Sequence, residues 1–326
     1  FWDESWHGGE AVLWEKVQDY DAIVMFQSFI PIFGEYYVNK HQCVTYIPML
    51  DQFGIWDGPL FNLTSFWEQF QGVKVLNFST ALHCMTIGFG IRSKFIRYFQ
   101  EPIDDNCIPN EGLHGFLWIR RENQISWEMI KKIIADTYFD SFHIHAANDP
   151  GSPNIILPSQ DEIEKYNITI STWFNEKSEL DDILKKSNVF FASRMEEGIG
   201  QSFLEALSRG QCVVAPNNGT MNEYIIDGIN GLLYDNENPQ ALNFLNALSI
   251  GTQGKKSAEI GYQNWKDKEK EIIEYILAPT ISLYDGKYHH VQKETEDGVI
   301  VKNKFKYMIR KILAKYSNFK IKLKHI

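Results

Sequence analysis

Glu197 and Glu205 bracket the stretch Ser193-Arg-Met-Glu-Glu-Gly-Ile-Gly-Gln-Ser-Phe-Leu-Glu205, two carboxylates set around a glycine turn that opens a helix. Gly198 and Gly200 allow a tight turn and a close approach to a ligand. The N–H groups that begin a helix near Gly200 lack intrahelical partners and point outward, which suits a phosphate. Glu205 lies four residues beyond Gln201 and three beyond Ser202, so on a helix it shares their face. Carboxylates would repel a phosphate, so the chemistry they fit is accepting hydrogen bonds from neutral hydroxyls of a ribose or a transferred sugar.

Elements that would position these residues follow from the alternation of apolar runs with helix-like segments, the pattern of parallel sheets covered by helices. In the first third, segments 22–26, 43–47 and 73–77 read as strands, with helix candidates at 10–17 and 61–70 and a helix after Ser79. Residues 101–112 hold two prolines, four acids and a glycine, and read as a domain linker. Beyond it, 115–119, 142–145, 188–192, 212–215 and 231–234 read as strands, separated by helices near 126–136, 176–186, 201–209 and 239–248. The expected organisation is a short N-terminal domain over 1–105, a donor-binding domain over 106–280 and an extension over 281–326.

The chain has 326 residues, is 44% hydrophobic and carries a formal charge of −10. It can bury a large core, and its acidity argues against a general nucleic-acid binder. Cys43, Cys84, Cys107 and Cys212 are scattered without ligand spacing, which suggests neither a disulfide framework nor a structural zinc and suits a reducing cytoplasm. No apolar run is long enough to span a membrane. His143 and His145 on one strand face lack a third ligand, and the adjacent His83 and Cys84 point apart on a helix.

The stretch from Glu197 to Glu205, followed by Ala206-Leu-Ser-Arg-Gly-Gln-Cys-Val-Val-Ala215 and Gly219-Thr-Met-Asn-Glu-Tyr-Ile-Ile-Asp-Gly-Ile-Asn-Gly-Leu-Leu233, resembles the donor half of a retaining GT-B glycosyltransferase of the family-four type, glycosyl transferases group 1. Ile199 stands for the family's Phe, Cys212 for its Pro and Thr220 for the second Gly of its Gly-Gly turn. The resemblance is strong over 166–235 and weaker over most of 1–280. It implies two Rossmann-like domains facing across a cleft and transfer of a hexose from a nucleoside diphosphate sugar, with no cofactor and no metal. Glu205 matches the residue that binds the nucleotide ribose, and Glu197 the one that contacts the donor sugar. Ile199, Gly200, Gln201 and Ser202 match the donor-binding helix start, and Gly8 and Gly9 a glycine loop near the donor phosphates. Arg120 or Arg121 stands where the family neutralises the pyrophosphate. The family's lysine four or five residues further on is absent, since Asn123, Gln124 and Ile125 occupy that region. Met49 and Leu50 stand where the family often carries a histidine near the reacting sugar, beside Asp51. The implied acceptor is a glycan or lipid-linked glycan. A GT-B sugar-nucleotide epimerase and an inactive GT-B-like partner subunit are the alternatives.

Residues 302–326 carry nine Lys or Arg and no acid, which leaves the remainder of the chain at −19. Phe305, Met308, Ile309, Ile312, Leu313 and Tyr316 interleave with those charges at helical spacing. One reading is a helix over 302–324 lying on anionic lipid, peripheral to the inner face of the membrane. The other is a terminal helix docked on the acidic body of its own chain.

Overall fold

The computed structural model describes residues 14–27, 41–51, 67, 70, 73–103 and 109–280. The chain divides into two compact units, Phe1–Tyr284 and Asp285–Ile326, and the second lies outside the described residues together with the basic helix expected over 302–324. Within the first unit, β1 (Ile23–Phe26), β2 (Val44–Ile47), β3 (Lys74–Asn77) and β4 (Ser93–Phe95) pair in that order as a parallel sheet. β2 and β3 are buried throughout. Helix α1 (Thr80–Gly88) crosses between β3 and β4, and Ser79 caps it by accepting from the Leu82 N–H.

The second sheet has six parallel strands, β5 (His114–Ile119), β6 (Ser141–Ala146), β7 (Ile168–Ser171), β8 (Val189–Phe191), β9 (Cys212–Pro216) and β10 (Leu232–Tyr234). Their spatial order is β10-β9-β8-β5-β6-β7, so the chain works outward on one side of β5 and then crosses to the other. That reversal between β5 and β8 is the switch point at which open α/β sheets leave a crevice at their carboxyl ends. Helices α2 (Trp127–Ile134), α3 (Gln160–Lys165), α4 (Lys177–Lys185) and α5 (Gln201–Ser208) form the crossovers up to β9. Both faces of the sheet are covered, and alternate side chains sort between two cores. Leu117, Phe191 and Val214 join one with α2, while Phe116, Phe190 and Val213 join the other with α5.

Two segments depart from the expected pattern. The helix expected over 239–248 begins only at Ala247, because the Leu242 N–H donates to the Ile133 carbonyl and Phe244 packs beside Phe139 and Phe191 in an irregular run. That helix, α6 (Ala247–Asp267), then continues through glycines that a propensity reading takes as breakers. A Cβ at Gly251 would lie 2.2 Å from the Gly210 carbonyl and one at Gly261 2.4 Å from the Phe99 ring, so these residues are the price of close packing. Of the helix expected over 10–17, the described part is a 3-10 turn, Trp14–Lys16. The one expected over 61–70 lies outside the described residues except for Trp67, which is helical, and Phe70.

Helix α7 (Glu269–Leu277) carries the chain back to the first sheet. Lys74 of β3 is fully buried and donates to the Tyr275, Ile276 and Ala278 carbonyls at 2.8, 2.5 and 2.5 Å. These include carbonyls that the end of a helix leaves without partners, and a cation there also complements the helix dipole. Burial pulls the Lys74 ammonium down to about 8, against a rise from Cys43. The Tyr275 hydroxyl donates to the Val75 carbonyl at 3.1 Å, fastening the same helix to the same strand. Replacing Lys74 with Met strands buried carbonyls and is expected to cost about 3 kcal/mol of stability, read as a lower urea midpoint at unchanged slope.

Candidate active site

At the carboxyl end of β5 the chain places Arg120 and Arg121 in succession, and both turn to one carboxylate. Asp149 Oδ1 accepts from Arg120 Nε and Nη2 at 3.1 and 3.0 Å, and its Oδ2 accepts from Arg121 Nε at 3.0 Å. Asp149 follows β6, and its own N–H donates to the Arg120 carbonyl, so side chains and backbone are tied together. The Arg120 guanidinium also lies 5.1 Å from the Trp118 ring centroid. Two cations sharing one anion leave a net single positive charge here, held in a fixed fork with remaining N–H groups for an incoming acceptor.

Across the switch point, β8 runs into Ala192, Ser193 and Arg194 and then the turn that opens α5. Gly200 supplies the left-handed φ of +73° at the N-cap, and among the described residues no side chain caps the helix. The helix also has no acid in its first turn. Its leading N–H groups are therefore available to an anion, with Gln201 exposed and Ser202 half-buried beside them. Glu205, further along α5, lies 3.6 Å from Arg209, whose buried guanidinium also meets Asp181 at 3.4 Å.

Glu197 sits in the turn with its side chain only 13% exposed. Burial raises its carboxyl above the usual range, Arg194 opposes that, Asp51 reinforces it, and Arg120 and Arg121 oppose it more weakly. These groups therefore share one electrostatic environment, which joins the carboxyl ends of β5 and β8. Glu196 is likewise raised by burial and by Asp51, against an Asn218 hydrogen bond and Arg194.

The turn is held from two sides. The Thr220 hydroxyl donates to the Glu197 carbonyl, and a Cβ at Gly219 would meet Glu196 Cα at 3.0 Å. On the other side, a Cβ at Gly198 would lie 2.9 Å from Asp51 Oδ1 and from Met49, residues that follow β2 of the first sheet. Ile199 packs into the apolar cluster of Ile47, Met49, Leu76 and Phe78, so it lies between the two sheets. Just beyond Thr220, Glu223 accepts from the Ser79 hydroxyl at 2.9 Å and from the Thr80 and Ala81 N–H groups at 2.6 and 3.2 Å. A carboxylate of the second sheet's domain thus caps α1 of the first.

Of the residues singled out from the sequence, Arg120, Arg121, Glu197, Ile199, Gly200, Gln201 and Ser202 gather at the switch-point crevice. Gly8 and Gly9 lie outside the described residues. Asp149 and Arg194 were missed. Asp149 belongs to a loop distant in sequence from the arginines it holds, with no local pattern to announce it. Arg194 had a readable signal, a cation two residues past the strand 188–192 and before the glycine turn. His143 and His145 pair with β7 hydroxyls instead of a metal, both lying within 2.9 Å of Ser171 Oγ. Burial lowers each to about 4, so both are neutral near pH 7. Among the described residues no group of three or more His, Cys, Asp or Glu is placed to hold a metal, and no helix is long and apolar enough to cross a membrane.

Residues 158–259 match the family described as glycosyl transferases group 1. No curated protein matches the chain by sequence. Similar solved structures include Anabaena HepE in complex with UDP, at a TM-score of 0.59 and 13% identity over 80% of this chain and 79% of that one. Sucrose-phosphate synthase from Thermosynechococcus elongatus gives 0.60 and 14% over 80% and 74%. The lipopolysaccharide outer core galactosyltransferase WaaB gives 0.52 and 12% over 79% and 78%. At these identities the likeness establishes the fold, two parallel α/β domains in the GT-B arrangement.

The Glu223 cap gives a direct test of how the domains are joined. Replacing Glu223 with Ala removes three hydrogen bonds, two of them to the N–H groups that open α1, and is expected to cost about 2 kcal/mol. Thermal unfolding should show a midpoint lower by several degrees, while Glu223→Gln retains part of the loss.

Proposed function

We propose, from the premise that this chain is a glycosyltransferase with a GT-B fold and a group 1 donor segment, that it moves a sugar with retention from a nucleoside diphosphate donor to a glycan or lipid-linked glycan. The setting is polysaccharide or glycoconjugate biosynthesis, at the cytoplasmic side of a membrane if the basic tail binds lipid. The 106–280 domain takes the donor and the 1–105 domain faces the acceptor. One observation carries the reading. The Arg120–Arg121 fork and the uncapped start of α5 stand on either side of the switch point, with Glu197 within their electrostatic reach.

Each part has a task in such a reaction. Negative charge grows on the departing diphosphate, and fixed N–H dipoles and guanidinium groups stabilise it without reorganising. Asp149 keeps both arginines in place before the donor arrives, which removes an entropic cost from the transfer step. Glu197 accepts from donor-sugar hydroxyls, and Glu205 on α5 accepts from the ribose. No protein nucleophile is assigned, and the leaving diphosphate takes the acceptor proton on the same face of the sugar. No metal is required in this scheme. The HepE structures hold UDP and UDP-glucose, which makes a uridine nucleotide the first probe to try.

A thermal-shift panel of nucleoside diphosphates and their sugars should raise the melting point for the accepted base alone. Arg120→Ala combined with Arg121→Ala is expected to lower transfer at least about a hundredfold, and Glu205→Gln to weaken nucleotide binding about tenfold or more. Unchanged turnover in both variants rejects the assignment. Product analysis without acceptor separates an epimerase, which alters the donor and releases no nucleotide, and a chain that binds no nucleoside diphosphate is a non-catalytic partner.

A further inference from the structure

Arg194 is a half-satisfied ion-pair member between the two domains. Its Nη1 lies 3.2 Å from Asp51 Oδ2 and 3.6 Å from Glu197 Oε2, with the three side chains 11%, 15% and 13% exposed. Among the described residues, Arg194 Nε and Asp51 Oδ1 are both buried without a hydrogen-bond partner. A buried pair that leaves donors and acceptors unmet returns little net stability after desolvation. Its position has a better explanation in the third group it touches. The contact exists only because Gly198 lets Asp51 and Met49 come against the turn that carries Glu197.

We propose that Arg194 is a positioning residue that holds the Glu197 carboxylate in the cleft and ties it to Asp51, so that the donor-side carboxylate is set when the two domains are docked. The use made of Glu197 rests on the glycosyl-transfer reading above, whereas the coupling of the three side chains does not. Among the described residues, the charged groups facing Glu197 are Arg194 beside it in the turn, Asp51 from the first domain and Arg120 and Arg121 from the end of β5, with Glu196 adjacent in the chain. Arg194 is the strongest of the cations acting on it, and Asp51 pushes the other way. Without Asp51 of the first domain, Arg194 would serve Glu197 alone. Docking therefore shares one cation between two carboxylates.

The consequence is a pair of opposite shifts in the Glu197 carboxyl, followed in the rate profile if Arg194 positions that carboxylate for the reaction. In the full chain labelled with 13C at the Glu side-chain carboxyl, the Glu197 signal is assigned by its loss in Glu197→Gln and titrated in each variant. Arg194→Gln removes a cation and should raise the Glu197 midpoint by about one pH unit; Asp51→Asn removes an anion and should lower it. Arg194→Lys, which keeps the charge, should bring the midpoint back toward the parent value and serves if Arg194→Gln does not fold. With any donor that the panel identifies, the acid limb of the rate profile should move with the carboxyl in each variant. Shifts in the same direction, or a Glu197 signal indifferent to Asp51→Asn, overturn the coupling even if the parent chain transfers sugar. Opposite shifts in a chain that turns over no nucleotide sugar uphold the coupling and reject only the transfer reading.

Discussion

A single missing side chain conditions the rest of this architecture. At Gly198 there is no room for a Cβ, because Asp51 and Met49 of one domain occupy that space against the turn of the other. Close seating at this point lets Ile199 enter the neighbouring apolar cluster and brings Asp51 within an ion-pair distance of Arg194. The contacts at some remove, Glu223 on α1 and Lys74 at the end of α7, fix the same approach from other directions. Domain docking and the environment of Glu197 are thus one problem in packing.

The division of labour in the crevice follows from where parallel strands end. β5 and β8 are adjacent in the sheet but their crossovers leave in opposite directions, so the residues just past each strand face a common space. Cations arise from one side and open backbone N–H groups from the other. Asp149 gives the arginines their geometry, and the Thr220 hydroxyl and the Gly219 turn give the glutamate loop its own. A recess of about 780 Å³ at the opposite end of the sheet, lined by residues such as Gly112, Leu242 and Phe244, lies away from this chemistry.

Much of this was readable from the chain because buried parallel strands are continuous apolar runs, as in 115–119 and 212–215, and because the glutamate turn concentrates its chemistry within a few residues. The failures have physical causes. β7 went unrecognised because Ile168–Ser171 is a short edge strand, entered through Asn167 at a positive φ, with a single fully buried residue. β4 is shorter still and has no fully buried residue. α6 begins later than the spacing predicts because contacts with distant segments hold the residues before it, the Leu242 N–H on the Ile133 carbonyl and the Phe244 ring on Phe139. Asp149 and the pairing of Arg194 with Asp51 depend on contacts between distant segments, which local spacing does not encode.

The cap that Glu223 places on α1 also bears on how the cleft communicates with solvent. Separation of the domains there frees a carboxylate and a helix terminus, both of which water and mobile ions solvate well. Anions in solution then compete with Glu223 for the start of α1. The strength of this contact between the domains therefore depends on the ionic composition of the medium.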